Sequence, residues 1–398
     1  RQVENCAFEL KAPDGKDYLF LNMEFAPRDT VMKWAQQVAG LEEYADHRIV
    51  LMTHAYLDAK DQRLSGPCKV TSYEPLVRNG RKVDEVQSYT AMRKFSIGRD
   101  ENDIVRLELN NEPLFQFGPL DQGWWPDGLY TAPSDEALAF DVIKTKELGY
   151  NMIRKHVKVE PARWYYHCDR LGMLVWQDMP CGGRRYDPLI VSTPLVTGWH
   201  LDDSLYPLFG RTNVTARKAF LNELRDMVTT LYNHPCIAMW VPFNEGWGQF
   251  DSQTAVQVIQ SVDKTRTIDP ASGWHDQGFG DVRSLHVYFQ KYRFQPDKLG
   301  RATLLSEFGG YIHRVEGHAI GGKSVGYKTC DAPLSLEYAL QALYDEQIRP
   351  AIAQGLSAAG YTQLSDVEDE VNGLVTYDRR LCKMDPVRMR KINSKLRF

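Results

Sequence analysis

An α/β fold centred on a (β/α)8 barrel is what this 398-residue sequence predicts, and three observations carry that expectation. From about Pro113 onward, short apolar strands alternate with amphipathic helical stretches, the pattern of a parallel sheet covered by helices. Eight strand candidates can be counted there: Pro113 to Gly118, Asn151 to His156, Leu174 to Pro180, Ile237 to Glu245, Ser272 to Gln277, Ser284 to Phe289, Thr303 to Gly309 and Ala358 to Asp366. Eight is the number that closes such a barrel. The remaining length, about 286 residues after Glu112, fits a barrel of typical size (roughly 250) with modest insertions.

The helices between the strands have readable ends. Ser134 precedes Asp135 to Leu148, which stops at Gly149; Pro161 to Leu171 stops at Gly172; Asn213 to Tyr232 and Ser335 to Gln354 follow, the last ending at Gly355. The stretch Cys181 to Arg211, between the third strand and its helix, is the main insertion.

Upstream the pattern changes. Residues 66–112 carry short alternating segments such as Val86-Gln87-Ser88-Tyr89 and Ile104 to Leu109, separated by the turn signals Asn79-Gly80 and Gly98-Arg99-Asp100. They read as part of an immunoglobulin-like β-sandwich. Residues 1–65 read as a small α/β segment: a strand at Tyr18 to Phe25, a helix at about Asp29 to Tyr44 and a strand at Arg48 to Thr53. The expected organisation is therefore 1–65, 66–112 and a barrel at 113–398.

Composition narrows the partners. The chain is 43% hydrophobic and 25% charged, and 48 basic against 52 acidic residues leave a net charge of -4 with the signs interspersed. No basic field is present to draw nucleic acid or an anionic membrane. No apolar run reaches the roughly 18 residues of a membrane helix. The start, Arg1-Gln2-Val3-Glu4-Asn5, has no signal-peptide core and no initiator Met, as in a processed or excised chain, which leaves the compartment open between cytoplasmic, periplasmic and secreted. Seven scattered cysteines without CxxC spacing signal neither a disulfide framework nor zinc. His313 and His318 lack the HExxH spacing, so no metal site is expected, although hard-cation sites leave little trace in sequence.

A barrel places its chemistry at the C-terminal ends of its strands. Those ends are polar or aromatic here: Asp121 with Trp124 and Trp125, Arg154 and His156, Gln177 and Asp178, Asn244 and Glu245, His275 and Asp276, His286 and Tyr288, Glu307, and Asp366. Asp366 with Glu368, Asp369 and Glu370 is most simply a solvated acidic turn. Glu245 and Glu307 each end a strongly apolar run, Trp240 to Phe243 and Leu304-Leu305. Two glutamates on one rim point to acid and nucleophile chemistry on a sugar.

The residues also carry a family resemblance. Asn151-Met152-Ile153-Arg154-Lys155-His156, Cys168 to Asp178, Asn233-His234-Pro235-Cys236-Ile237, Phe243-Asn244-Glu245 and Ser306-Glu307-Phe308-Gly309 follow one another as in glycoside hydrolase family 2, which about 83–398 resembles. That group includes β-galactosidases, β-glucuronidases and β-mannosidases. The resemblance implies a retaining exo-acting β-glycosidase, a galactoside first, without organic cofactor, with Glu245 as acid/base and Glu307 as nucleophile. It further places Asn244 on the sugar 2-hydroxyl and Tyr288 within hydrogen-bonding reach of the nucleophile. His156, Asp178 and His286 are expected as further sugar ligands, and Trp124, Trp125 and Trp274 as stacking platforms.

Physics suits that division. Arg154 beside Glu307 would keep it ionised, while Glu245, between Trp240 and Trp247 and facing a like charge, would be raised toward neutrality. The chain departs from the family in lacking its usual N-terminal jelly roll and most of the sandwich. Two other readings stay open: a catalytically impaired carbohydrate-binding barrel, and a metal-dependent phosphoesterase. The latter rests on Tyr18 to Arg28 and Arg48 to Leu57, which resemble a fragment of a calcineurin-like metallophosphoesterase with His54 at a ligand position. The remaining ligand motifs of that family are missing. Oligomeric state is left open.

Overall fold

The computed structural model describes residues 6–11, 17–22, 29–52, 76–78, 81–84, 89 and 91–398. The chain divides into two compact units, Arg1–Met92 and Arg93–Phe398. In the first, strands Cys6–Lys11, Asp17–Asn22 and Arg48–Met52 form one sheet, its first pair antiparallel and its second parallel. The helix Asp29–Ala39 makes the crossover, and Leu19, Leu21 and Ala35 are its buried core. Strands Leu76–Arg78 and Arg81–Asp84 pair as a hairpin. His54 and residues 53–75 lie outside the described residues.

In the second unit, strands buried on both faces need consecutive apolar side chains, and the sequence supplies them. The barrel strands are β1 (Gln116–Asp121), β2 (Met152–Lys155), β3 (Leu174–Asp178), β4 (Ile237–Val241), β5 (Thr267–Ile268), β6 (Val282–Val287), β7 (Ala302–Gly309) and β8 (Leu356–Thr362). Every residue of β1, β2, β4, β7 and β8 is buried. All pairings are parallel, in the order β5-β4-β3-β2-β1-β8-β7-β6, a nearly closed barrel with its seam between β5 and β6. Close approach between neighbours demands glycine at Gly118, where a Cβ would stand 1.5 Å from the Met152 carbonyl oxygen.

Seven of the eight expected strands overlap observed ones. The fifth does not: β5 is Thr267–Ile268, too short to leave a pattern, and Ser272 to Gln277 is a rim loop. Gly273 (φ 88°) and His275 (φ 51°) break its extended course, and Ser272 makes an isolated parallel bridge to Asn244, just after β4.

Helices cover the barrel, starting where caps are available. Ser134 accepts from Ala137 N at 3.2 Å to start Asp135–Glu147, and Asn213 accepts from Ala216 N at 3.0 Å to start Val214–Leu231. Ala162–Leu171 ends on left-handed Gly172. Helices Ser252–Val262 and Pro386–Asn393 add to those expected. The second carries a readable signal, Asp385 as cap with Pro386 at the first turn.

The strands Phe95–Arg99, Val105–Leu109 and Glu112–Pro113 form an antiparallel sheet at the N-terminal mouth of the barrel. Phe95 and Leu107 join Met152, Trp176, Met239, Ala302 and Ala358 in the interior core. Buried Arg106 pairs with Asp100 at 2.8 Å and donates to the carbonyls of Ile352 (2.9 Å) and Leu356 (3.1 Å), fixing the sheet to the start of β8. This plug leaves the opposite mouth for chemistry. Among the described residues, no helix is long and apolar enough to cross a membrane.

Candidate active site

The opposite mouth is organised around Arg154, at the end of β2 and fully buried. Its guanidinium holds Asp178 of β3 bidentately (Nε to Oδ1 3.1 Å, Nη2 to Oδ2 3.0 Å). The same group donates to Glu307 Oε1 of β7 at 3.0 Å and to Asn244 Oδ1, just after β4, at 2.8 Å. One rigid fork therefore spaces three strands. With Oδ1 held by Arg154, the Asn244 amide leaves its NH2 as donor. Burial alone would raise the Asp178 carboxyl, but Arg154 and His156 outweigh it and keep it below the usual range. His156 Nδ1 lies 3.0 Å from Asp178 Oδ2 and 3.9 Å from Glu307 Oε1.

Glu307 takes two further contacts. Tyr288 donates its hydroxyl to Oε2 and also meets Thr362 Oγ1 at 2.9 Å. Tyr327 stacks on the Tyr288 ring, 3.7 Å between centroids and 9° between planes. Glu245 stands opposite, in the left-handed region at φ 53° within the turn after β4. Its backbone is tied down by its N–H to the Ser272 carbonyl at 2.8 Å, and its Oε1 lies 2.7 Å from His286 Nδ1. One oxygen of each glutamate and one His286 nitrogen fall within 4.8 Å of one another.

These three residues could converge on a metal ion, and among the described residues no other group of three His, Cys, Asp or Glu does so. The short Glu245–His286 contact, however, is satisfied as a hydrogen bond without an ion. His313 and His318 serve elsewhere, His313 against the Cys330 carbonyl (2.9 Å) and His318 against Asp378 (2.8 Å).

Burial raises Glu245 to about 7, against the opposing pull of His156 and Arg154. Burial likewise pushes His286 down to about 3, against the pull of Glu307, so its ring is neutral. The two sides of the cleft thus differ: Glu307 is ringed by donors, and Glu245 faces a neutral imidazole. Of the two, Glu245 is the one pushed toward holding its proton near neutrality.

Among the expected site residues, Arg154, His156, Asp178, Asn244, Glu245, His286, Tyr288 and Glu307 converge here. Trp274 is near, its ring centroid 6.5 Å from that of His286. Trp124 and Trp125 pack instead: Arg379 covers the Trp125 ring at 4.1 Å and donates to the Trp124 carbonyl, while the Trp124 ring meets Tyr130 edge-on. Trp240 does not flank Glu245. It lies in the layer between barrel and helices, donating to Asp263 at 2.9 Å. His275 anchors the Cys181 to Arg211 insertion, accepting from Leu201 N (3.1 Å) and donating to the Val191 carbonyl (3.0 Å), and Asp276 pairs with Arg301 at 2.6 Å. Gln177 accepts from the Tyr165 hydroxyl, and Asp121 pairs with buried Lys155 at 2.7 Å. Asp366 is no solvated turn: it is fully buried and paired with Lys383 at 2.6 Å. Tyr327, Thr362 and the serines 272, 284 and 306 beneath His286 were not foreseen. Small hydroxyls inside otherwise apolar strands are the signal that marks Ser284 and Ser306.

A family model, the TIM barrel domain of glycosyl hydrolases family 2, matches residues 132–308, a stretch that contains both glutamates. By this match, residues 132–308 are a family 2 glycosyl hydrolase barrel domain. The chain is 25% identical over 174 residues (41% of its length) to a β-galactosidase of Thermoanaerobacter pseudethanolicus. It is 24% identical over 177 residues (44% of the chain) to a β-galactosidase of Leuconostoc mesenteroides. The matched stretches span 19% and 15% of those curated relatives, so the chain aligns with only a small part of each. A family 2 β-galacturonidase structure from Eisenbergiella tayi superposes with TM-score 0.53 at 19% identity, covering 77% of this chain and 55% of that one. A β-D-glucuronidase structure from Dictyoglomus thermophilum gives 0.55 at 14% identity, covering 76% and 54%. At such identities the structures speak to the fold alone.

Proposed function

We propose that the chain is a retaining exo-β-glycosidase that hydrolyses terminal β-linked sugars by double displacement. The observation that carries this reading is the pair Glu245 and Glu307, with carboxylate oxygens within 4.8 Å and unlike surroundings. Retaining enzymes hold their two carboxyl groups about 5 to 5.5 Å apart, whereas inverting ones leave room for a water. Glu307, held by Arg154 and Tyr288, attacks the anomeric carbon; Glu245, raised to about 7, protonates the leaving oxygen and later takes a proton from water. Asn244 offers its NH2 to the hydroxyl beside the reacting carbon. In this reading His156 contacts a further sugar hydroxyl, Asp178 acts beside it, and Trp274 stacks on the sugar.

A β-galactoside is the first substrate to try, because both matched sequence relatives are named β-galactosidase. The test is a panel of aryl β-galactosides, β-glucuronides, β-galacturonides and β-mannosides, assayed with and without EDTA. Glu245→Gln and Glu307→Gln are each expected to cost several orders of magnitude in rate on the accepted glycoside. Near-normal turnover in either variant would remove the assignment. Sugar binding by the unaltered chain with no hydrolysis across the panel would favour a binding barrel instead.

A further inference from the structure

Beneath Glu245 runs a line of buried polar groups to which the double displacement assigns no task. His286 Nδ1 lies 2.7 Å from Glu245 Oε1, and His286 Nε2 lies 3.0 Å from Ser272 Oγ. Ser272 Oγ is 3.3 Å from Ser284 Oγ and is placed to donate to Ser306 Oγ at 3.1 Å, which is the alternative to donating to His286 Nε2 because the hydroxyl has a single hydrogen; Ser284 Oγ and Ser306 Oγ are 2.6 Å apart. His286 and all three serines are buried. Ser284 and His286 come from β6, Ser306 from β7 and Ser272 from the loop after β5, and no backbone ladder joins β5 to β6.

A neutral imidazole has one N–H and one lone pair, so the nitrogen that holds its proton decides what Glu245 meets. With the proton on Nδ1, the ring donates to Glu245 Oε1, and a protonated Glu245 carries its hydrogen on Oε2. That hydrogen is free for a leaving oxygen. With the proton on Nε2, Glu245 has to give its own hydrogen to Nδ1, and acid catalysis loses it. The hydroxyl at Nε2 therefore matters, because a hydroxyl that donates there requires the lone pair on Nε2 and the proton on Nδ1. Burial, which pushes His286 down to about 3, keeps the ring neutral so that this choice exists across the neutral range.

We propose that Ser272 is a positioning residue for the hydrolysis: by donating its hydroxyl to His286 Nε2 it selects the Nδ1–H tautomer, which places the Glu245 proton on Oε2. The inference rests on Glu245 being the general acid. In the first displacement the Oε2 proton passes to the glycosidic oxygen, which keeps the electron pair of its breaking bond to the anomeric carbon. Glu307 supplies the pair for the new bond. The His286 N–H stays in place and stabilises the carboxylate left on Glu245. Ser284 stands within reach to donate into Ser272 Oγ in turn. The backbone of Ser272 acts separately, its N–H donating to the Phe243 carbonyl at 2.9 Å and its carbonyl accepting from Glu245 N at 2.8 Å. Ser272→Ala keeps those bonds and removes only the hydroxyl.

The test reads the tautomer directly, by 15N–1H NMR of the His286 ring in the full chain, assigned with His286→Asn. The unaltered protein is expected to show Nδ1–H, and Ser272→Ala a shift toward Nε2–H. In turnover, Ser272→Ala is expected to lose about 10- to 100-fold on alkyl β-glycosides, a fraction of what general acid catalysis supplies. That loss shrinks as the leaving group becomes more acidic, since a dinitrophenolate needs no proton to depart. Ser272→Thr, which keeps the hydroxyl, restores most of the rate. An Nε2–H ring in the unaltered protein, or an equal loss on every leaving group, overturns the proposal. A chain that is inactive on all glycosides yet shows the Nδ1–H ring would count against the glycosidase reading, and the tautomer shift in Ser272→Ala would still decide the role of the hydroxyl.

Discussion

Arg154 Nη1 reaches Glu307 Oε1 at 3.0 Å while the rest of the same guanidinium grips Asp178 through two bonds. The position of the proposed nucleophile is thus set by a planar fork whose other tines are fixed in β3 and at Asn244. An ammonium cannot reproduce that geometry, because it is a point charge without a fork. Arg154→Lys is expected to lower kcat by roughly 100- to 1000-fold on the accepted aryl glycoside, in line with the loss of a preorganised electrostatic contact. The buried Asp178 would lose its bidentate partner as well, so the melting temperature should fall in the same variant. A kcat within a factor of three of the unaltered protein would show that Lys can hold Glu307 equally well.

Glu245 gives a pH prediction of definite sign. Burial raises its carboxyl from an ordinary 4.5 to about 7, with His156 and Arg154 pulling the other way. A carboxyl raised on folding contributes stability that is fully present below about 4.5 and lost as pH rises through about 7. Glu245→Gln never has to carry the buried charge. At pH 8 it is expected to be more stable than the unaltered protein by up to roughly 3 kcal/mol, and at pH 4.5 the advantage should vanish. Urea unfolding at the two pH values checks this. A gain of the same size at both would mean that it comes from packing rather than ionisation. In turnover, kcat/KM on a poorly leaving alkyl glycoside should fall as pH rises through about 7, because only the protonated acid works.

How much of this was legible depended on whether a residue's neighbours in sequence are its neighbours in space. Glu245 follows the apolar β4 and Glu307 lies near the end of β7, and a barrel fixes where strand ends go, so their convergence could be read from local pattern. Trp240 misled for the same reason that makes strands regular. Side chains alternate across a sheet, and its ring faces the helix layer and Asp263, five residues back from the cleft. The fifth strand left no pattern because Thr267–Ile268 is two residues long. Ser272 was misplaced with it, and its contact to His286 joins two segments that only tertiary packing brings together. Asp366 looked like part of an acidic, hydrated turn because its partner Lys383 lies 17 residues downstream.

That pair is itself testable. Lys383 and Asp366 are 3% and 0% exposed, and Lys383 Nζ donates to Asp366 Oδ1 (2.6 Å) and to the carbonyls of His313 (2.7 Å) and Val371 (3.2 Å). Burial pushes Asp366 up to about 6, and Lys383 is what holds it from rising further. Lys383→Met strands a buried carboxylate and is expected to destabilise the fold by about 3 to 5 kcal/mol at pH 7.5. Adding Asp366→Asn should recover much of that, because no charge remains to be desolvated. A single variant within about 1 kcal/mol of the unaltered protein in urea would show that the carboxyl simply takes up a proton at little cost.

Tyr288 separates the two chemical steps. Its hydroxyl donates to Glu307 Oε2 and its ring rests on Tyr327, so Tyr288→Phe keeps the stack and removes one donor from the proposed nucleophile. In the first displacement Glu307 loses negative charge as it bonds to carbon, and a donor on it opposes that change. In the second, the carboxylate reforms as the leaving group, and the same donor helps. The variant should therefore slow the breakdown of the glycosyl-enzyme much more than its formation, by about 10- to 100-fold, within the range seen for single charge-stabilising donors. With a dinitrophenyl glycoside, the expected result is a burst of one phenolate per enzyme followed by a slow steady state. Loss of rate without a burst would mean that the Tyr288 hydroxyl serves the first step instead, by orienting Glu307 for attack.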